Sequence, residues 1–75
     1  MAISIPKPSF LDGCDALGYI EGEKRWANSA RTRIYTWDSL HGEIEVFNKR
    51  GKHIAVFDSQ GNFKSEAIKG RCINV

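Results

Sequence analysis

HGEIEVFNKRGKHIAVFD, residues 41–58, decides how this chain folds. GEIEVF alternates strictly. Glu43, Glu45 and Phe47 fall on one side of an extended chain, Ile44 and Val46 on the other. NKRG, ending in Gly51, is a turn signal, and HIAVF at 53–57 is a second strand rich in β-branched and aromatic residues. Working backward, RIYTW at 33–37 has the same character. Working forward, DSQGN at 58–62 is another turn, and residues 63–68 and 71–74 offer two further short strands. Close runs separated by short turns predict an antiparallel meander, strongly twisted because it is small. Residues 1–8 read as extended, since Pro6 and Pro8 restrict the backbone. Residues 9–20 predict a short helix, with Ser9 as N-cap and Asp12 three positions later. Residues 21–32 are polar and read as a loop. The fold class expected is α+β, mainly β: about five short strands in a twisted antiparallel sheet with a short N-terminal helix. Residues 1–75 form one domain in this reading, with 1–23 an N-terminal extension and 24–75 the sheet.

Composition narrows the function. Hydrophobic residues are 41% and charged residues 27%, ordinary for a soluble domain. A chain of 75 residues buries a marginal core, so a large substrate would lie across an open face. No apolar run approaches the ~20 residues of a membrane span, and MAISIPKPSF lacks the apolar centre of a signal peptide. Two cysteines, Cys14 and Cys72, make no disulfide framework and read as free thiols. There is no CxxC, and His41 and His53 are not at ligand spacing, so no metal site is expected. The net charge of +2 is uneven. Lys7 against Asp12, Asp15, Glu21 and Glu23 leaves residues 1–23 at −3, so residue 24 onward carries +5. A basic body suits a polyanion, although on charge alone solvated surface lysines are the better account.

The segment WDSLHGEIE, residues 37–45, sets one imidazole among three carboxylates. The pleat projects His41, Glu43 and Glu45 from one side, and Asp38 sits where it can reach back to a ring nitrogen of His41. This is either a solvated strand face or an acid–base site. Two like charges, Glu43 and Glu45, without a cation between them in sequence favour the second, because neighbouring carboxylates raise each other's pKa and stabilise a protonated histidine. His53 reads as structural or solvated.

IYTWDSLHGEIE resembles the catalytic segment of the cytotoxic ribonuclease domain of cloacin and the ribosome-cutting colicins. That family carries tryptophan–aspartate–serine, one variable residue, then histidine–glycine–glutamate–hydrophobic–glutamate. Arg25-Trp26 stands at the family's distance before Ile34-Tyr35. GKHIAVFD and the following GN are similar to its next strand and turn, and Arg71, then Ile73, falls where it has a C-terminal arginine. The resemblance covers residues 24–74. Phe47 replaces a tyrosine, Ser65 replaces a frequent lysine beside Lys64, the chain is less basic, and the first 20 residues do not match. The resemblance implies a twisted antiparallel sheet with a short N-terminal helix. It also implies cleavage of one phosphodiester bond of small-subunit ribosomal RNA at the decoding centre, and an acidic immunity protein or antitoxin as partner. The site of action would be a cytoplasm, the cell's own or that of a target bacterium. Catalytic weight falls on Asp38, His41, Glu45 and Arg71.

RNA supplies its own nucleophile, the 2′-hydroxyl, so neither a protein nucleophile nor a metal is required. A base, an acid and a cation suffice. Glu45 is assigned as base and His41 as acid, with the reverse assignment open. Asp38 orients His41, and Arg71 holds the phosphate. Glu43 tunes His41 or contacts RNA. Tyr35, Trp37 and Trp26 are candidates for base stacking, weighed against core packing. Arg31, Arg33, Lys49, Arg50, Lys52 and Lys64 are candidates for phosphate contacts. The alternative function is a non-catalytic RNA-binding β-module.

Overall fold

Every strand pairs with its neighbour in sequence. In the computed structural model, which describes residues 2–75, β1 (Asp15–Ile20), β2 (Glu23–Ala27), β3 (Arg33–Asp38), β4 (Glu43–Asn48), β5 (His53–Phe57) and β6 (Phe63–Glu66) form one antiparallel sheet in that order. The expected meander is present, and the expected hairpin about Gly51 is β4–β5.

Alternation sorts the sheet into two faces. Trp26, Tyr35, Val46 and Ile44 lie on one, joined by Ala55 and by Leu11 from outside the sheet in a single apolar cluster. Ile44 and Val46 are fully buried, and each such side chain contributes roughly 1.5–3 kcal/mol. The cover over this face is the N-terminal segment. Ile5, Phe10 and Leu11 pack on it, and Phe10 meets Tyr35 and Phe57 edge-on at centroid distances of 5.2 and 5.7 Å. The opposite face carries Arg25, Thr36 and Glu45 in one row, set by the registers Arg25↔Thr36 and Thr36↔Glu45.

Three expectations are corrected. The N-terminal helix is a single 3-10 turn, Phe10–Gly13, although Ser9 and Asp12 do form the reciprocal cap that the sequence signals. The chain leaves the turn extended at Cys14 and enters β1, where pairing with β2 overrides local helix propensity. The polar loop expected over 21–32 is split into a two-residue turn, Glu21 and Gly22, and residues 28–32, because Glu23–Ala27 is a strand; the Asn28 side chain closes the second loop by accepting the backbone N–H groups of Thr32 and Arg33. Residues 71–74 form no strand but a strap, with one isolated backbone bridge, Lys52↔Cys72, beside the β4–β5 turn.

The strap is what makes the second face a site. Arg71 O accepts from His53 N–H (3.0 Å), and Ile73 N–H donates to Gly51 O (2.8 Å). Gly51 has φ +86°, and an added Cβ would collide with the Ile73 carbonyl oxygen, so glycine permits both the turn and the docking. Arg25, only 3% exposed, donates from Nη1 to Asn74 O, and Asn74 Nδ2 bonds the Glu21 carboxylate (3.2 Å). Cys14 and Cys72 are free thiols; burial, and then the Asp15 charge, push the Cys14 thiol up.

Candidate active site

Glu45 is at the centre of the strap-covered face. It is 5% exposed, not the solvated glutamate an open strand face would give. Each of its oxygens has a partner. Oε2 accepts from His53 Nε2 at 2.5 Å, and Oε1 faces Arg71 Nη2 at 3.0 Å. A buried carboxylate is tolerated only with such partners. The His53 ring is itself fixed. Its Nδ1 accepts the Ile68 backbone N–H at 2.9 Å, so its proton sits on Nε2 and points at Glu45. His53 is 1% exposed, with the Phe47 ring edge-on at 5.3 Å.

Strict alternation misplaces His53. Counting back from Ala55 and Phe57, which face the apolar cluster, His53 would lie on that side too. A bulge intervenes: Val46 pairs with Ala55, but Phe47 pairs with His53. The extra residue turns His53 to the face of Glu45 and Phe47. The structural role expected for His53 is thus a specific one, holding Glu45.

The second half of the site is the turn between β3 and β4. The backbone N–H of Gly42 donates to Asp38 O (2.8 Å), and Asp38 Oδ1 accepts from the N–H groups of Leu40 (3.0 Å) and His41 (3.3 Å). This fold-back brings Asp38 Oδ2 to 2.7 Å from His41 Nδ1, leaving Nε2 outward on a side chain 64% exposed. The Asp38 hydrogen bond, then its charge, raises the His41 pKa, and Glu43 and Glu45 act in the same direction. Partial burial works to raise Asp38, but its bonds to the His41 ring and to the two backbone N–H groups hold it below the ordinary carboxylate value.

Glu43 and Glu45 each have a cation after all. Lys64 reaches Glu43 at 2.6 Å from β6, and the hydrogen bond and charge of Glu43 raise the Lys64 pKa. Arg71 arrives from the strap. Both partners lie far away in sequence, which is why the segment alone looks uncompensated. Asp38, His41 and Glu43 each bring one potential metal-ligand atom within 4.8 Å of the others; two of those side chains already pair with each other, and the third pairs with Lys64.

The structure therefore brings together Asp38, His41, Glu43, Glu45, Lys64 and Arg71. It does not bring Tyr35 to them. That ring is 3% exposed in the apolar cluster on the other face, which corrects its candidacy for stacking; core packing claims it because β3 turns Tyr35 and Thr36 to opposite sides. Trp26 is likewise buried there, whereas Trp37 is partly open, its indole N–H donating to Ile3 O (2.7 Å). Arg31 faces Asp15 at 3.6 Å. Arg33, Lys49, Arg50 and Lys52 are exposed. His53 and Arg25 are the residues that sequence reasoning left out of the site. The hairpin register, with its bulge, is the signal that finds His53; Arg25 had no signal beyond its place beside Trp26.

Comparison with known proteins agrees with the motif. The family described as Cytotoxic matches residues 5–74, reaching further toward the N-terminus than the residues that carry the sequence resemblance. Colicin E3 of Escherichia coli is 44% identical over 36 residues, 47% of this chain and 6% of that protein. Cloacin of Escherichia coli is 43% identical over 35 residues, 45% of this chain and 6% of that protein. The matched stretch is thus a small part of either relative.

Proposed function

This chain belongs to the Cytotoxic family, and on that premise we propose that it is a toxin endoribonuclease that cuts small-subunit ribosomal RNA inside the ribosome and so blocks translation. The whole chain, N-terminal cover included, acts as one domain. The observation that carries the proposal is the convergence of Glu45, Arg71 and the Asp38–His41 pair on one face. Glu43 and Glu45 both favour the protonated form of His41.

In the proposed reaction the Arg71 guanidinium, half-exposed, turns from Glu45 to the scissile phosphate. That frees Oε1 to take the 2′-hydroxyl proton, while His53 keeps Oε2 in place. The 2′ oxygen attacks phosphorus and the bond to the 5′ oxygen breaks. His41, protonated and steadied by Asp38, gives its Nε2 proton to the leaving 5′ oxygen. The products are a 2′,3′-cyclic phosphate and a 5′-hydroxyl. Each acid–base partner contributes ~10²–10⁴-fold, and the Arg71 charge stabilises the phosphorane. The exposed Lys49, Arg50 and Lys52 turn, with Arg33, supplies backbone contacts that position the RNA without reading its sequence. The same basic surface suits an acidic immunity protein or antitoxin as neutralising partner. The reaction belongs to the cytoplasm, where ribosomes are. Among the described residues no helix is long and apolar enough to cross a membrane.

The test is incubation of ribosomes with the protein in EDTA. The proposal expects one discrete small-subunit RNA fragment, lost in His41→Ala and Glu45→Ala. An RNA-binding module without chemistry would yield no fragment and a salt-dependent affinity.

A further inference from the structure

The N-terminal cover reaches the β1–β2 end of the sheet at Ile5. There a cavity of about 400 Å³ opens, with Tyr19, Lys24, Trp26, Trp37, Ser39 and Ile5 among its walls. The volume falls within the roughly 300–1,000 Å³ of small-ligand sites. Register explains the grouping. Tyr19 pairs with Lys24, and Lys24 and Trp37 are the next residues beyond the Arg25↔Thr36 pair. Three strands thus bring a phenol, an ammonium and an indole together on one face.

Several features distinguish this cavity from unfinished core. Tyr19 is 76% exposed, so its ring contributes little to the fold. The Trp37 indole is fixed by its bond to Ile3 O, and Lys24 Nζ stands 5.2 Å from the centre of the Trp26 ring. Glu23, the acidic residue at the rim, has Arg25 at 3.7 Å. Ser39, whose carbonyl accepts the Ile3 N–H at 2.7 Å, belongs to the same turn as Asp38 and His41. Cavity and acid–base pair are therefore two sides of one short turn.

We propose that this cavity is a nucleobase subsite. It takes one unstacked base of the RNA, its face against Tyr19 and Trp37, with the adjoining phosphate beside Lys24. The chemistry is general: every base has a π-face, so aromatic walls hold it without regard to sequence, and a cation serves the backbone. The inference rests on the RNA-cleavage reading above and names where its substrate is gripped.

The probe is a short 2′-O-methyl oligoribonucleotide, which lacks the free 2′-hydroxyl and cannot be cut, titrated into the full chain with tryptophan fluorescence as readout. Quenching is expected with the oligonucleotide and not with its abasic counterpart. Tyr19→Ala should weaken binding roughly 5- to 150-fold, the range for losing one stacked base, while Tyr19→Phe binds as wild type. Lys24→Ala should weaken it and flatten its salt dependence. Both side chains are exposed, and unchanged thermal midpoints confirm folding. Equal binding of the abasic strand, or wild-type binding by Tyr19→Ala, overturns the subsite; a cavity built for a partner protein's side chain would give that second result. Base-dependent quenching without ribosome cleavage keeps the subsite and removes the nuclease reading. Cleavage with an unchanged KM in Tyr19→Ala does the reverse.

Discussion

Replacing His53 with leucine tests how Glu45 is held. The substitution strips Glu45 Oε2 of its 2.5 Å donor and Ile68 N–H of its 2.9 Å acceptor. A hydrogen bond to a charged group is worth about 1.5–3 kcal/mol, and an orphaned buried N–H costs about 1–3 kcal/mol. The expected loss is about 2.5–6 kcal/mol, a large share of the roughly 5–15 kcal/mol that holds a small domain together. At roughly 4–8 °C per kcal/mol for a domain this size, the midpoint should fall by at least ~10 °C. His53→Gln retains an amide donor for Glu45 and loses the acceptor for Ile68, so it should lie between wild type and leucine. Thermal and urea unfolding followed by circular dichroism give the ranking. Adding Glu45→Leu to His53→Leu should recover part of the loss, because the unpaired buried carboxylate goes with its partner. A His53→Leu chain as stable as wild type would refute the reasoning, since the histidine–carboxylate contact would then offset no more than its own desolvation.

Asp38→Asn should lower the His41 pKa toward its ordinary 6.5, since the Asp38 bond and charge are the leading causes of its rise. With a raised folded value, the His41 contribution to stability is complete below 6.5 and fades as pH climbs through the folded pKa; NMR titration should show that window closing in the variant, and the alkaline limb of cleavage moving to lower pH. Gly51→Ala should undock the strap, combining about 1–3 kcal/mol of backbone strain at φ +86° with the Ile73 collision; proteolysis after residue 66 and loss of cleavage would report it. Tyr35→Ala should cost about 3–5 kcal/mol in stability, as core aromatics do, whereas a stable variant deficient in RNA binding would restore Tyr35 to the RNA surface.

What was legible in the sequence follows from what is local. Alternation in GEIEVF separates Ile44 and Val46 from Glu43, Glu45 and Phe47, and the structure keeps that separation. The Asp38–His41 contact spans three residues and a glycine-ended bend, so it too was readable. The Ser9–Asp12 cap was readable, but the length of the element it begins was set by β1 pairing with β2, a tertiary matter. β2 escaped notice because EKRWA mixes charges on both faces: Arg25 is buried under Asn74 from the strap, and Lys24 lies beside an indole. His53 escaped because a bulge reverses its side. Both ion-pair partners of the glutamates, Lys64 and Arg71, come from 21 and 26 residues away, beyond any local pattern, and Arg71 entered the site only through the family resemblance.

The most direct measurement is the chemistry of the new RNA end. If Glu45 and His41 move the protons of an attack by the 2′-hydroxyl, the upstream fragment must end in a 2′,3′-cyclic phosphate and the downstream fragment must begin with a 5′-hydroxyl. End-labelling with and without a cyclic phosphatase reads both. An upstream 3′-hydroxyl with a downstream 5′-phosphate would contradict the account, because water and not the neighbouring hydroxyl would then have attacked.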